Sequence, residues 1–200
     1  EEGNHDDRPG NTGSYQITID LGKETTFRAF SYTPREKGNE GWQNGNIQNY
    51  EFYVANSKEE LDNKVQNNEY LSKGRFEYTK QETSTDKTSL VIYGVPKTGR
   101  FISLLYVDPG TSHGSCSEFN LYSNPPPTST PTPMATPTPS PKPTPTIILV
   151  DYLQEGYWSS YRINDRSDWK VTANNEHSQA ANAVEGPVRN IIDGNRGTYW

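Results

Sequence analysis

Arg35 follows Pro34 where an apolar stretch ends. A guanidinium there presents a rigid fork of donors suited to gripping two vicinal hydroxyls; the plainer alternative is a surface charge. Trp42 stands between Gly41 and Gln43 in a polar stretch, so it either packs down or offers its flat face to a ligand. Near the other end of the chain, Asn190, Asp193, Asn195 and Thr198 bring four oxygen-bearing side chains into one short turn. Calcium takes about six to eight oxygens from carboxylates, carbonyls and hydroxyls. The plainer alternative is an Asp-Gly turn in which Asp193 bonds its own backbone. No catalytic set accompanies these residues. His5, His113 and His177 are scattered among polar neighbours, there is no His-x-x-x-His pair or phosphate loop, and nothing sets two carboxylates across a cleft. The chemistry on offer is binding rather than bond-making.

The elements that must position these groups read as short strands. Tyr15, Ile17, Ile19 and Leu21 alternate with polar residues up to Gly22, and a second strand runs from Phe27 to Tyr32 before Pro34. The segment Arg35–Asn46 reads as a long exposed turn. Ile47–Ala55 is a strand, and Ser57-Lys-Glu-Glu60 has the form of a capping box that predicts a helix from Ser57 to about Val65. Further strands are expected at Gly74–Tyr78, Thr88–Tyr93, Arg100–Val107 and Ser117–Tyr122, with the apolar run from Phe101 as a central strand buried on both faces. Trp169–Ala173 reads as a strand, and 178–184 and 186–192 as helical turns. Many short strands with almost no helix predict an all-β antiparallel sandwich.

Residues 125–146 are almost entirely Pro, Thr and Ser. Such a tract favours polyproline II at ~3.1 Å per residue, roughly 70 Å when stretched, and usually separates extracellular modules. The net charge of −6 comes with no dense basic run, which argues against nucleic acid and anionic membrane as main partners. Cys116 is the single cysteine, so neither a disulfide framework nor a thiolate metal site is expected and the residue reads as a small buried hydrophobe. No run approaches the ~18 apolar residues of a membrane span. With no initiator Met and no signal peptide, the chain reads as an excised piece of a larger multimodular protein.

Three stretches together resemble the coagulation factor 5/8 type C domain, also called discoidin, and within it the bacterial family-32 carbohydrate-binding modules. They are Ile17-Thr-Ile-Asp-Leu-Gly22; Phe30-Ser-Tyr-Thr-Pro-Arg35 with Asn44-Gly-Asn-Ile47 and Tyr50-Glu-Phe-Tyr-Val54; and Ser115-Cys-Ser-Glu-Phe-Asn-Leu-Tyr122. The resemblance implies a galactose-binding-like jelly-roll sandwich, a structural Ca²⁺ and a carbohydrate site. For the metal it adds Ser117 and Glu118, at the start of the closing strand, to Asn190, Asp193, Asn195 and Thr198. For the sugar it implies Arg35 with a partner asparagine, Asn44 counting back from Ile47 or Asn39 counting forward from Arg35. A third polar ligand falls to His5, the nearest histidine to the family's position. The stacking aromatic that relatives carry before the last strand is missing here; Trp42 and, less well, His113 are the substitutes.

The strand and Asp-Gly turn that open such a domain do not precede Tyr15. They resemble instead Trp169-Lys-Val-Thr-Ala173 and Ile191-Ile-Asp-Gly-Asn-Arg-Gly-Thr-Tyr-Trp200. The expected organisation is therefore a module at 1–124 lacking its first part, a linker at 125–147, and the first part of a module at 148–200. That last piece either begins a second copy or folds back in permuted order, since domain termini often lie close together. The expectation is a non-enzymatic, extracellular module that carries a secreted or surface protein, such as a glycoside hydrolase, to galactose- or N-acetylhexosamine-containing glycans. The alternative is a discoidin-type adhesion domain binding protein or a membrane surface.

Overall fold

The computed structural model describes residues 14–34, 46–76, 87–107, 115–123, 145–151, 158, 160–173 and 188–194. The strands are β1 (Ser14–Thr33), β2 (Asn49–Ala55), β3 (Ser72–Arg75), β4 (Lys87–Val107), β5 (Glu118–Tyr122), β6 (Thr146–Asp151) and β7 (Lys170–Ala173). One helix, α1 (Lys58–Gln66), and a short 3-10 helix, Val188–Ile192, complete the described elements.

Two long strands build both layers. β1 and β4 pair antiparallel, with register shifts between Asp20 and Thr25 and between Phe27 and Ala29. The first half of β1 pairs with β7 on its other side, and its second half pairs with β5. The second half of β4 pairs with β2, and its first half pairs with β6. The layers are therefore β3-β2-β4-β1-β7 and β6-β4-β1-β5, joined where the two long strands bend, as corners of sandwiches are commonly made. The breaks expected at Gly22 and before Arg100 are these corners. Gly22 turns with a φ of 76° while the chain stays paired through Thr25 with Gly99 and Thr26 with Thr98. Gly99 is needed for closeness rather than for φ: a Cβ there would lie 2.4 Å from Val54 Cγ1.

The core between the layers is aromatic. Phe30 of the second layer stacks on Phe52 of the first with centroids 4.3 Å apart, and Phe119 stacks on Phe30 at 5.7 Å. Nearer the strand ends, Tyr32, Phe76 and Tyr50 form a continuous stack. Each such pair contributes ~0.5–1.5 kcal/mol beyond the area it buries. Ile102, Leu104 and Tyr106 of β4 point into this core, while Phe101 and Leu105 on its other face are half-buried against α1. Cys116 is fully buried, and burial pushes its thiol well above the ordinary range, in keeping with a small inert hydrophobe.

α1 follows from its cap. Ser57 Oγ accepts from the Glu60 N–H at 3.1 Å, and Glu60 reaches back to the Asn56 N–H at 2.8 Å. β3 lies two residues earlier than expected, at Ser72–Arg75, with Phe76 still bonded to the Gln48 carbonyl at 2.8 Å. β6 starts at Thr146, inside the segment read as linker. The helical turn expected at 178–184 lies outside the described residues.

The C-terminal part packs on this body. Beyond β6, Trp158 and Tyr161 pack on Ala29, Leu90 and Tyr122, the outer face of the second layer. The Ser123 N–H donates to the Tyr161 carbonyl at 2.8 Å and the Ile163 N–H to the Leu121 carbonyl at 2.9 Å. The chain then crosses to the first layer as β7, and Trp169, Val188, Ile191 and Ile192 enter the same core as Phe30. At Gly22 the two parts almost touch: an added Cβ would lie 2.6 Å from Asp168 Cβ. Gly22→Ala should therefore cost about 1–3 kcal/mol, measured by urea denaturation, and should speed amide exchange in Lys170–Ala173. Unchanged exchange in that strand would contradict the docking of this segment on the body.

Candidate functional site

The strand ends define a rim. β1 runs along the first layer, turns at Gly22, and returns along the second. Ser14 therefore pairs with Val107, and Thr33 with Glu118, at the end of the sandwich opposite the corners. Four segments leave from this end: 1–13 before Ser14, 35–45 after Pro34, 77–86 after Phe76, and 108–114 after Val107. Arg35, Asn39, Trp42 and Asn44 belong to the second of these, His113 to the fourth and His5 to the first. All six lie outside the described residues; their anchors do not.

One hydroxyl pins two of these anchors. Tyr32 Oη accepts from the Ile47 N–H at 2.8 Å and donates to the Ser115 carbonyl at 3.0 Å. Asn46 and Ser115 form a parallel bridge, and Ser115 Oγ donates to Asn46 Oδ1 at 3.2 Å. The far ends of segments 35–45 and 108–114 are thus tied together by buried hydrogen bonds. Tyr32 itself is held by its stack on Phe76, 4.8 Å between centroids.

Beside the rim lies a charged joint. The alternation of β5 sends Phe119 and Leu121 into the core, which leaves Glu118, Asn120 and Tyr122 on the other face, yet these too are buried. Arg166, from the C-terminal part, covers them. Its Nη1 donates to Glu118 Oε1 at 2.6 Å and to the Ile192 carbonyl at 3.1 Å, and its Nη2 donates to Asn120 Oδ1. The guanidinium also lies 5.4 Å from the Trp169 ring centroid. Asn120 passes the network on to Ser31 Oγ at 3.2 Å, which meets Tyr122 Oη at 3.0 Å. The pair is well enclosed, with the side chains 10% and 2% exposed for Arg166 and Glu118.

Four of the six expected metal residues lie on two pieces of chain that touch here, Ser117 and Glu118 at the start of β5 and Asn190 and Asp193 in the facing turn. The second Glu118 oxygen accepts from the Gly194 N–H at 3.1 Å, which seats the turn Asn190–Asp193 against the start of β5; Asn195 and Thr198 lie outside the described residues. Burial pushes the Glu118 carboxyl up to about 7, the Arg166 guanidinium opposes the rise, and the charge of Asp193 adds to it. Ser117 Oγ is buried without a hydrogen-bond partner. Both Glu118 oxygens already accept, from Arg166 and from the Gly194 N–H, while the groups around them, carboxylates, an amide and a hydroxyl, are of the hard oxygen kind that calcium takes. Among the described residues, no cluster of three or more His, Cys, Asp or Glu occurs.

Sequence reasoning did not single out Arg166. It sits between Asp165 and Ser167 in a polar stretch whose pattern reads as solvated surface. The usable signal was Glu118: a carboxylate on a strand flanked by core residues requires a cationic partner. Replacing Arg166 by Met should cost about 3–5 kcal/mol, because an uncompensated carboxylate stays buried. Glu118→Gln should cost less, and the Arg166→Met/Glu118→Gln double variant less than the sum of the two. Chemical denaturation with calcium chelated reads this cycle; strict additivity would show that the pair does not couple.

Comparison with known proteins adds one match. The F5/8 type C domain family matches residues 3–119, more than half of the chain. No curated protein and no solved structure matches it significantly.

Proposed function

This chain belongs to the F5/8 type C domain family, and on that premise we propose that it is a non-catalytic carbohydrate-binding module. It targets a secreted or surface protein to glycans bearing galactose or N-acetylhexosamine. The family is one of carbohydrate- or lipid-binding modules, generally non-catalytic and typical of extracellular or surface proteins. The observation that carries the reading is the rim: the segments holding Arg35, Asn39, Trp42, Asn44, His113 and His5 all leave the sandwich from one end. Each sugar carries hydroxyls around its edge and an apolar C–H patch. A guanidinium fork, an asparagine amide and an indole face supply the complementary set. A site of this size supports a dissociation constant near 0.1 mM, about −5.5 kcal/mol.

Arg35→Ala should abolish retention on galactose- or N-acetylhexosamine-bearing polymers in affinity electrophoresis while leaving the melting temperature unchanged. Undiminished retention would remove Arg35 from the site. Flotation with anionic liposomes in place of glycan retention would move the module to the lipid-binding side of its family.

Calcium is proposed as the structural ion beside the rim, held by Ser117, Glu118, Asn190 and Asp193 together with Asn195 and Thr198. Bound there, it supplies the positive charge that offsets the two carboxylates and fixes the turn to β5. At one hundred times its dissociation constant, a ligand that binds only the folded form adds about 2.7 kcal/mol. The chain should therefore melt higher in calcium than in chelator, and Glu118→Gln should remove most of the difference. Superimposable melts of the unaltered chain would dismiss the ion.

A further inference from the structure

Away from the rim and the charged joint, a cleft of about 300 Å³ opens at the corner end of the sandwich, where β4 bends past the end of β2. Small-molecule sites begin at about this size, so the cleft has room for one sugar-sized ring rather than a length of polymer.

Fixed backbone builds two of its sides. α1 is capped at Asn67, and Asn68 turns the chain with a φ of 56°, a left-handed conformation that Asn tolerates better than most residues. The Glu69 N–H returns to the Lys64 carbonyl at 2.8 Å, and the Leu71 N–H donates to the Phe52 carbonyl at 2.8 Å. These bonds seat Glu69, Tyr70 and Leu71 along one side of the cleft. Lys97 and Thr98 line the other, with the Thr98 hydroxyl meeting that of Thr26 at 2.9 Å. They approach closely because Gly99 follows them: its missing side chain lets β4 close on Val54, which also lines the cleft.

The two lysines of the lining differ. Lys64 Nζ is committed, donating to the Val54 carbonyl at 2.9 Å and pairing with Glu60 at 2.6 Å. Lys97 is half-buried, its Nζ 5.7 Å from the Tyr93 ring centroid, and it makes no ion pair among the described residues. An ammonium that has given up part of its hydration and holds no carboxylate is matched by an anion that a ligand brings. Val54, Leu71 and the half-buried Tyr70 supply apolar surface beside it, and the exposed Glu69 carboxylate can accept from hydroxyls.

We propose that this cleft is a second ligand site, taking a single acidic sugar: a hexuronate whose carboxylate meets Lys97, whose ring lies along Tyr70 and Leu71, and whose hydroxyls donate to Glu69. The sugar class rests on the carbohydrate reading of the chain; the carboxylate and its place rest on the cleft itself. A site at the end opposite the rim lets one module touch two points of a glycan surface.

Nitrogen–proton correlation NMR of the full chain, titrated with glucuronate and with its uncharged isostere glucuronamide, tests this. Glucuronate should shift the amides of Glu69, Tyr70, Leu71, Lys97 and Thr98. Glucuronamide should bind about tenfold more weakly, the loss expected of one charge-assisted contact. Lys97→Gln should weaken glucuronate binding by a similar factor while the amides of Phe30 and Phe119 stay in place, and added salt should weaken it in the unaltered chain. Arg35→Ala, which removes the guanidinium of the rim, should leave these shifts intact, so the two sites fail independently. Glucuronate that moves no amide of the cleft at tens of millimolar, or that binds the unaltered chain no better than glucuronamide, would overturn the proposal. Full affinity for glucuronate in Lys97→Gln would do the same.

Discussion

A sandwich woven from two strands that pass through both layers closes itself at the corners and leaves a flank open between β5 in one layer and β1 in the other. What closes it is the chain that runs from Tyr161 to β7, and the fixed point of that chain is Arg166 on Glu118. The guanidinium reaches β5 through Glu118 and Asn120 and the 3-10 helix through the Ile192 carbonyl. One buried cation thus ties three pieces of chain that are far apart in sequence. Its energy is not a simple gain, since desolvating both partners offsets much of their attraction. What the guanidinium does contribute is a single point at which Asn120, Glu118 and the Ile192 carbonyl are held together.

The same joint sets the conditions for the rim. Glu118 pairs with Thr33, the last residue of β1 before Pro34 and the segment 35–45. The Tyr32 hydroxyl, one residue earlier, ties Ile47 and Ser115 at the far ends of two rim segments. Cation, turn and rim anchors therefore share one stretch of backbone. Loss of order at the joint would therefore reach the anchors Tyr32, Ile47 and Ser115 as well.

Much of the fold was legible in the residues. Alternation from Tyr15 to Leu21, the capping box at Ser57 and the run from Phe101 gave strands, helix and central strand, because those patterns report local burial period and local hydrogen bonding, although Phe101 and Leu105 are half-buried where burial on both faces was expected. The corners were not legible as corners. A glycine that ends a strand and one that bends it leave the same mark in sequence, and only the continued pairing of Thr25 with Gly99 and Thr26 with Thr98 distinguishes them. β6 was missed as a strand because six residues after a Pro/Thr tract carry too little pattern of their own. They become a strand only through the open edge of β4 that receives them.

The candidate site divides in the same way. Residue type and order alone determined the family, whose pattern residues 3–119 bear out, and raised the expectation that a strand-end guanidinium and an oxygen-rich turn bind ligand and ion. Those features follow from chemistry carried by neighbouring residues, which the chain states directly. The tertiary structure decided that the turn near Asp193 meets Glu118, that Arg166 is the cation between them, and that the rim segments leave from one end. Each of these depends on contacts between residues dozens of positions apart. Such contacts are selected by which arrangement buries the aromatic core without stranding a charge, and no local pattern records that choice.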